Sequence, residues 1–267
     1  MKVVSREYKA MLDHRPFRDR RPSVDEFWAE VEALAGTMTS VRAKGRLDEQ
    51  EERTIVFLDT PDLTLRRNGL VLRRRDGNGA PEYTLKCRSE DRYFAAGTDL
   101  AAAAGLAPDE KLEEDIAPPF RCRFSHSNTV KGAADTPRTL GEAGAIFPVL
   151  GTLTHDGRAC PADTALGAVR RITAFERVFT GAKVALDGLG PGEDDEASAA
   201  LILWSDGEGG RPLVAEFSCR LKDKEERFTR PQAALARSFF ESVQRLDWCR
   251  PDAVTKTEYV YGDTRGD

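Results

Sequence analysis

The sequence predicts a mainly β fold of the α+β kind, an antiparallel sheet or barrel of about eight strands with a few helices packed outside it. Three observations predict it. Short runs alternate polar and apolar residues along most of the chain, as in EYTLKCR (Glu82–Arg88) and VAEFSCRLK (Val214–Lys222). Only two segments carry helical spacing over several turns. The polar positions of the strands are charged rather than neutral, and they collect Lys9, Arg73, Arg75, Lys86, Arg88 and Arg220 beside Glu7, Glu113, Asp187 and Glu216. If such a sheet closes on itself, these charges meet in its lumen.

In chain order, Val3–Leu12 is a strand with Ser5, Glu7, Lys9 and Met11 on one face. Ser23 and Glu26 of SVDE form a capping box that starts a helix, whose stripe of Phe27, Val31 and Leu34 runs until Gly36. Ile55–Leu58 is a strand, and Asn68-Gly69 is a turn that joins LTLRR to the strand LVLRRR. In that second run Arg73 and Arg75 point the same way. Two guanidiniums on one strand face repel each other unless an anion sits between them, and a phosphate chain suits their paired donors. A solvated basic edge strand is the competing explanation.

Glu82–Arg88 and Lys111–Ala117 continue the alternation, the latter with Lys111, Glu113 and Asp115 on one face. Residues 118–167 are rich in Pro, Gly and small side chains and are expected to be a connecting excursion, with a short helix near Thr139–Ala145. Strands resume at Val169–Phe179, Ala182–Asp187, ALILW and Val214–Lys222. A helix from about Pro231 to Leu246 follows, and the tail TKTEYVY is expected to add a short strand.

Composition narrows the function classes. The chain has 267 residues, of which 40% are hydrophobic and 32% charged, which suits a globular chain with a sizeable core. Its net charge of −5 argues against a nucleic-acid partner. The charges are nevertheless segregated: Leu63–Tyr93 has eight Lys or Arg against four acids, and Gly190–Gly210 has six acids and no base. That distribution suits an anion pocket inside an acidic protein. No apolar run is long enough to span a bilayer and the start MKVVSREYK lacks a signal core, so no membrane association and a cytoplasmic location are expected. Five cysteines without a CxxC pair signal neither a disulfide framework nor a zinc site. The three histidines stand in polar or loop-like contexts, no serine sits in a GxSxG elbow, and no Lys-Ser/Thr follows DGNG to make a phosphate loop.

The run FLDTPDLTLRRNGLVLRRR (Phe57–Arg75), followed by YTLK and later by VALD and VAEFSCRLK, resembles the signature of the CYTH family, the triphosphate tunnel metalloenzymes. The resemblance covers about Val3 to Leu246, with residues 118–167 contributing little, and it makes the whole chain one CYTH-like domain. It implies an eight-stranded antiparallel tunnel that binds triphosphate groups and, in the family's enzymes, cleaves them with Mg²⁺ or Mn²⁺. The family's first-strand ExExK falls on Ser5, Glu7 and Lys9, and its late pair of glutamates on Glu216 and Ser218, so half of each acidic pair is absent. Arg73, Arg75 and Lys86 match the phosphate-binding positions, Asp187 matches the VALD acid, and either Arg171 or Arg177 matches a further arginine.

By this resemblance the catalytic candidates are Glu7, Lys9 and Glu216. The substrate-binding candidates are Lys9, Arg73, Arg75, Lys86, Arg171, Arg177 and Arg220, and the metal candidates are Glu7, Glu113, Asp187 and Glu216. The expected activity is metal-dependent hydrolysis of inorganic or small organic triphosphate, with the carboxylates holding a cation that bridges phosphate oxygens. Two alternatives stand beside it. One is a non-catalytic polyphosphate- or nucleotide-binding module in which Glu7 and Glu216 only pair with Lys9 and Arg220. The other is cyclisation of ATP.

Overall fold

A computed structural model describes residues 1–132, 135–186, 196–250, 252–253 and 255–262. The alternating runs become strands: β1 (Val3–Leu12), β2 (Val41–Lys44), β3 (Asp48–Asp59), β4 (Leu70–Asp76), β5 (Glu82–Ser89), β6 (Pro108–Ala117) and β7 (Arg121–Lys131). The short hairpin of β8 (Thr154–His155) and β9 (Arg158–Ala159) lies apart, and β10 (Gly167–Thr180), β11 (Lys183–Leu186), β12 (Glu196–Ser205) and β13 (Pro212–Lys222) complete the set. Among the described residues six α-helices accompany them: α1 (Arg20–Gly36), α2 (Thr64–Arg67), α3 (Arg92–Gly97), α4 (Leu140–Gly144), α5 (Arg230–Val243) and α6 (Lys256–Tyr261).

Nine strands close into a barrel in the order β1-β13-β12-β10-β3-β4-β5-β7-β6 and back to β1. An odd ring cannot alternate direction throughout, so one neighbouring pair has to be parallel. That pair is β1 and β6, with Ser5 opposite Glu113 and Glu7 opposite Asp115. The fold is therefore the expected mainly β barrel with outer helices, enlarged by one strand. The added strand is β7, inside the region expected to be an excursion. Its sequence RCRFSHSNTVK hides the alternation because both faces are polar. Ser125, Ser127 and Thr129 share one face, while on the other His126 and Asn128 are buried yet bonded to backbone carbonyls of Ala95 and Leu100.

Apolar side chains on the barrel's outer face make two cores. Phe217, Leu201 and Leu221 pack against Phe27 and Val31 of α1 and Phe239, Phe240 and Val243 of α5. On another wall, Leu70, Leu72, Tyr83 and Leu85 pack against α4 and the Phe147–Leu150 turn. Full burial of each such side chain contributes about 1.5–3 kcal/mol.

Three local expectations are corrected. Ser23 is not an N-cap: α1 begins at Arg20, and the Ser23 hydroxyl donates to the Pro16 carbonyl at 2.6 Å. LTLRR is not a strand, because Leu63 adopts φ 59° and the Asp59 carboxylate accepts from the backbone N–H groups of Leu65 (2.9 Å) and Arg66 (3.1 Å), which winds α2. TKTEYVY is a helix, started by a capping box between Thr255 and Glu258. Among the described residues no helix is long and apolar enough to cross a membrane.

Candidate functional site

Strand registers determine which side chains share the lumen. Across β4 and β5, Arg75 stands opposite Glu82, Arg73 opposite Thr84 and Val71 opposite Lys86. Continuing round, Lys86 faces Ser127, Ser125 faces Glu113, and Glu113 faces Ser5, next to Glu7 and Lys9 of the same strand face. Arg220 of β13 stands opposite Glu7, and Glu216 lies further along the same face. One continuous wall thus brings together Glu7, Lys9, Arg73, Arg75, Lys86, Glu113, Glu216 and Arg220.

Most of these charges are paired. Asp115 sits among four donors: Lys9 Nζ at 2.9 Å, Ser125 Oγ at 2.7 Å, Arg88 at 3.5 Å and Lys86 at 3.7 Å. Burial alone would raise its pKa, but Lys9, Lys86 and Arg88 outweigh it and hold the carboxyl well below the usual range. Glu7 accepts from Lys9 at 3.0 Å and Arg220 at 3.2 Å, and these cations overcome its burial to bring it to about 2. Glu113 takes the Ser5 hydroxyl at 2.9 Å, with Arg220 at 3.8 Å and Lys111 at 3.9 Å. Lys86 goes the other way. Burial, aided by Arg88 and Lys9 against the pull of Asp115, lowers it to about 7.

Arg73 and Arg75 differ from Arg220, whose Nε is also buried without a hydrogen-bond partner, in lacking a paired carboxylate. Their Nε atoms are buried without any hydrogen-bond partner, and neither guanidinium has an ion pair among the described residues. Burial together with the neighbouring Arg75 pushes Arg73 far below the ordinary arginine value. Buried donors are almost always satisfied, so two unpartnered Nε–H groups on one lumen face suit acceptors brought by an anion.

Other elements add groups that the sequence did not single out. Glu176 of β10 is buried in the lumen, bonded to Arg53 of β3 at 2.5 Å and to the Trp204 indole at 2.8 Å. Lys256 of α6 reaches in to Glu216 at 2.9 Å and lies 5.8 Å from the Trp204 ring. Of the two arginines expected from β10, Arg177 is turned to the outer face, where it pairs with Glu52 at 2.9 Å. Its neighbour Glu176 occupies the lumen position, and alternation forces the two apart. Arg171 is exposed at an irregularity of β10 with φ 56° and does not reach the lumen wall. Asp187 lies outside the described residues.

The expected Mg²⁺ or Mn²⁺ can be tested on the donor set. Glu7, Glu113, Asp115, Glu176 and Glu216 each already hold a lysine, an arginine or both, and among the described residues no three His, Cys, Asp or Glu side chains converge. These residues by themselves do not fit a divalent ion, whose site requires carboxylates free of resident ammonium and guanidinium groups.

No family model and no curated protein matches the chain. Several solved structures are similar over nearly its whole length. One, from Bacillus halodurans and proposed to be an adenylate cyclase, is 10% identical, with 96% of this chain and 97% of that chain covered and a TM-score of 0.43. Another, a proposed adenylyl cyclase from Hippeastrum described as having a dominant triphosphatase activity, is 13% identical over 97% and 95% of the two chains, with a TM-score of 0.41. A Pyrococcus horikoshii protein is 9% identical over 97% and 98%, with a TM-score of 0.42. Likenesses of this degree leave the site to be argued from its own residues.

Proposed function

We propose that the barrel binds a triphosphate-containing anion in its lumen, either inorganic triphosphate or the triphosphate of a small organic molecule. The observation that carries this is the Arg73–Arg75 pair, half-buried on one face, with both Nε atoms buried and without a hydrogen-bond partner and with Arg73 repelled by Arg75. A polyanion with oxygens repeating along its length supplies what both guanidiniums lack, and Lys86 beside them adds a third donor. Serine and threonine hydroxyls of β5 and β7 line the adjoining wall, and the paired carboxylates keep the lumen from excess positive charge in the ligand-free protein.

Hydrolysis of the bound anion is a second reading, favoured by Lys86. Its amine, lowered to about 7 in the empty lumen, takes up a proton as the phosphates raise it, and that proton can be donated to a leaving phosphate oxygen. Calorimetric titration of the protein with tripolyphosphate, paired with a phosphate-release assay with and without Mn²⁺, separates the two. Binding without release in either condition leaves a binding module, release only with Mn²⁺ restores the metal-dependent hydrolase, and absence of binding rejects the site. Incubation with ATP and assay for the cyclic nucleotide covers cyclisation.

A further inference from the structure

Lys9, Lys86 and Lys256 all project into the lumen with mostly buried side chains, yet their amines are not equivalent. Lys9 Nζ lies 3.0 Å from Glu7 and 2.9 Å from Asp115, and Lys256 Nζ lies 2.9 Å from Glu216. Lys86 has one ion-pair partner among the described residues, Asp115, and at 3.7 Å the two make no hydrogen bond. That carboxylate is already engaged by Lys9, Ser125 and Arg88. Three cations thus compete for one acid. A guanidinium keeps its proton and Lys9 is fixed by two carboxylates, so the group that relieves the crowding by becoming neutral is Lys86. Its lowering to about 7, by burial with help from Arg88 and Lys9 against the pull of Asp115, agrees with this geometry.

A neutral lysine amine is a nucleophile as well as a base. Anion donors stand beside it. Arg73 is opposite Thr84, two residues before Lys86 on β5, which makes Arg73 and Lys86 diagonal neighbours about 7–8 Å apart, within reach of long side chains. We propose that Lys86 is a covalent modification site that captures an aldehyde carrying a phosphate monoester, with the phosphate on Arg73 and Arg75 and the carbonyl carbon at the Lys86 amine. This rests on the anion-binding function proposed above and adds a second class of ligand and a bond. The nitrogen electron pair forms the bond to the carbonyl carbon, the C–O bond then breaks, and both hydrogens of the neutral amine leave with the oxygen as water. An imine remains, and nothing is oxidised or reduced. A triphosphate reaching Lys86 sets anionic oxygens on the amine and protonates it, whereas the aldehyde brings an uncharged group and leaves it reactive. The imine removes Lys86 as a donor and blocks the lumen until water reverses it.

The test is incubation of the full chain with pyridoxal phosphate as the probe, reduction with borohydride, and mapping of the labelled lysines by mass spectrometry. Lys86 is expected to be the dominant site, and tripolyphosphate is expected to protect it. Pyridoxal without the phosphate is expected to label Lys86 about tenfold less, the worth of one hydrogen bond to a charged group. Label spread evenly over surface lysines, with tripolyphosphate still bound in calorimetry, would overturn the capture while leaving the anion site standing. Equal labelling of Lys86 by pyridoxal and its phosphate would overturn the phosphate seat. Absence of both Lys86 labelling and tripolyphosphate binding would overturn both readings. Arg73→Met keeps the amine and is expected to bring labelling by pyridoxal phosphate down to the level of pyridoxal; labelling unchanged in this variant would overturn the role of Arg73.

Discussion

Holding two guanidiniums at alternate positions of one strand face works against stability unless an anion joins them, and Arg73 and Arg75 are held in this way. Arg73→Met keeps most of the side-chain volume and removes the repulsion. The ligand-free protein is expected to gain about 1–2 kcal/mol, read from chemical denaturation. The same change is expected to weaken tripolyphosphate binding roughly tenfold to a hundredfold, the worth of hydrogen bonds to a charged group. Glu176 predicts the opposite sign. Removing its carboxylate in Glu176→Ala leaves the Trp204 indole without its acceptor and Arg53 with Glu51 alone, so a loss of about 1–3 kcal/mol is expected in the same assay.

Lys86 gives these charges a pH dependence. It titrates near 7 in the folded chain and near the ordinary lysine value when unfolded, so across that window the unfolded chain holds the extra proton. Its contribution makes stability rise with pH from about 7 upward, and the penalty is complete below 7. Glu7 acts in the acid range. Its pKa of about 2 stabilises the fold above the ordinary glutamate value and is lost as pH falls toward 2. An anion beside Lys86 raises its pKa again, so binding at pH 8 is expected to take up a proton. The check is whether the binding enthalpy varies with the ionisation enthalpy of the buffer.

Among the elements, the hairpin region Phe57–Arg75 combines two tasks. Its second half, β4, supplies the arginine ladder. Its first half supplies Asp59, which both caps α2 and holds α6 through Tyr261. Tyr261→Phe is expected to cost about 0.5–1.5 kcal/mol and to raise amide exchange in α6. On β1, Ser5 stands beside Glu7 and already touches Glu113. Ser5→Glu adds a carboxylate beside two that Lys9 and Arg220 already engage, and Mn²⁺ affinity measured by titration is expected to stay unchanged. A rise would mean that the added carboxylate frees its neighbours from Lys9 and Arg220.

The same elements show what the sequence discloses. Alternation in LVLRRR, EYTLKCR, KLEEDIA and VAEFSCRLK reports the lumen face directly, because each strand is polar inside and apolar outside. It fails for β7, polar on both faces, and for the start of β3, where DEQEERT offers no apolar partner and conceals Arg53. On β10 the resemblance offered Arg171 or Arg177 as a further arginine, but a backbone irregularity lies before Thr173 and the lumen position is taken by Glu176. The clue to Lys256 was present in Thr255 and Glu258, a capping box three residues apart, but the apolar tail after it resembles a strand.

For the whole molecule, the one parallel contact of the ring shapes how the chain must assemble. β1 ends up between β6 and β13, so Ser5 pairs with Lys222 across nearly the full sequence. The barrel cannot close until its last strand exists, and α6 can seat only afterwards. A ring joined by such distant residues has high contact order, which predicts slow folding through an open, curled sheet whose charged face is still hydrated. Desolvating that face is then the final event, when β13 docks and the arginines, lysines and carboxylates lose their water together.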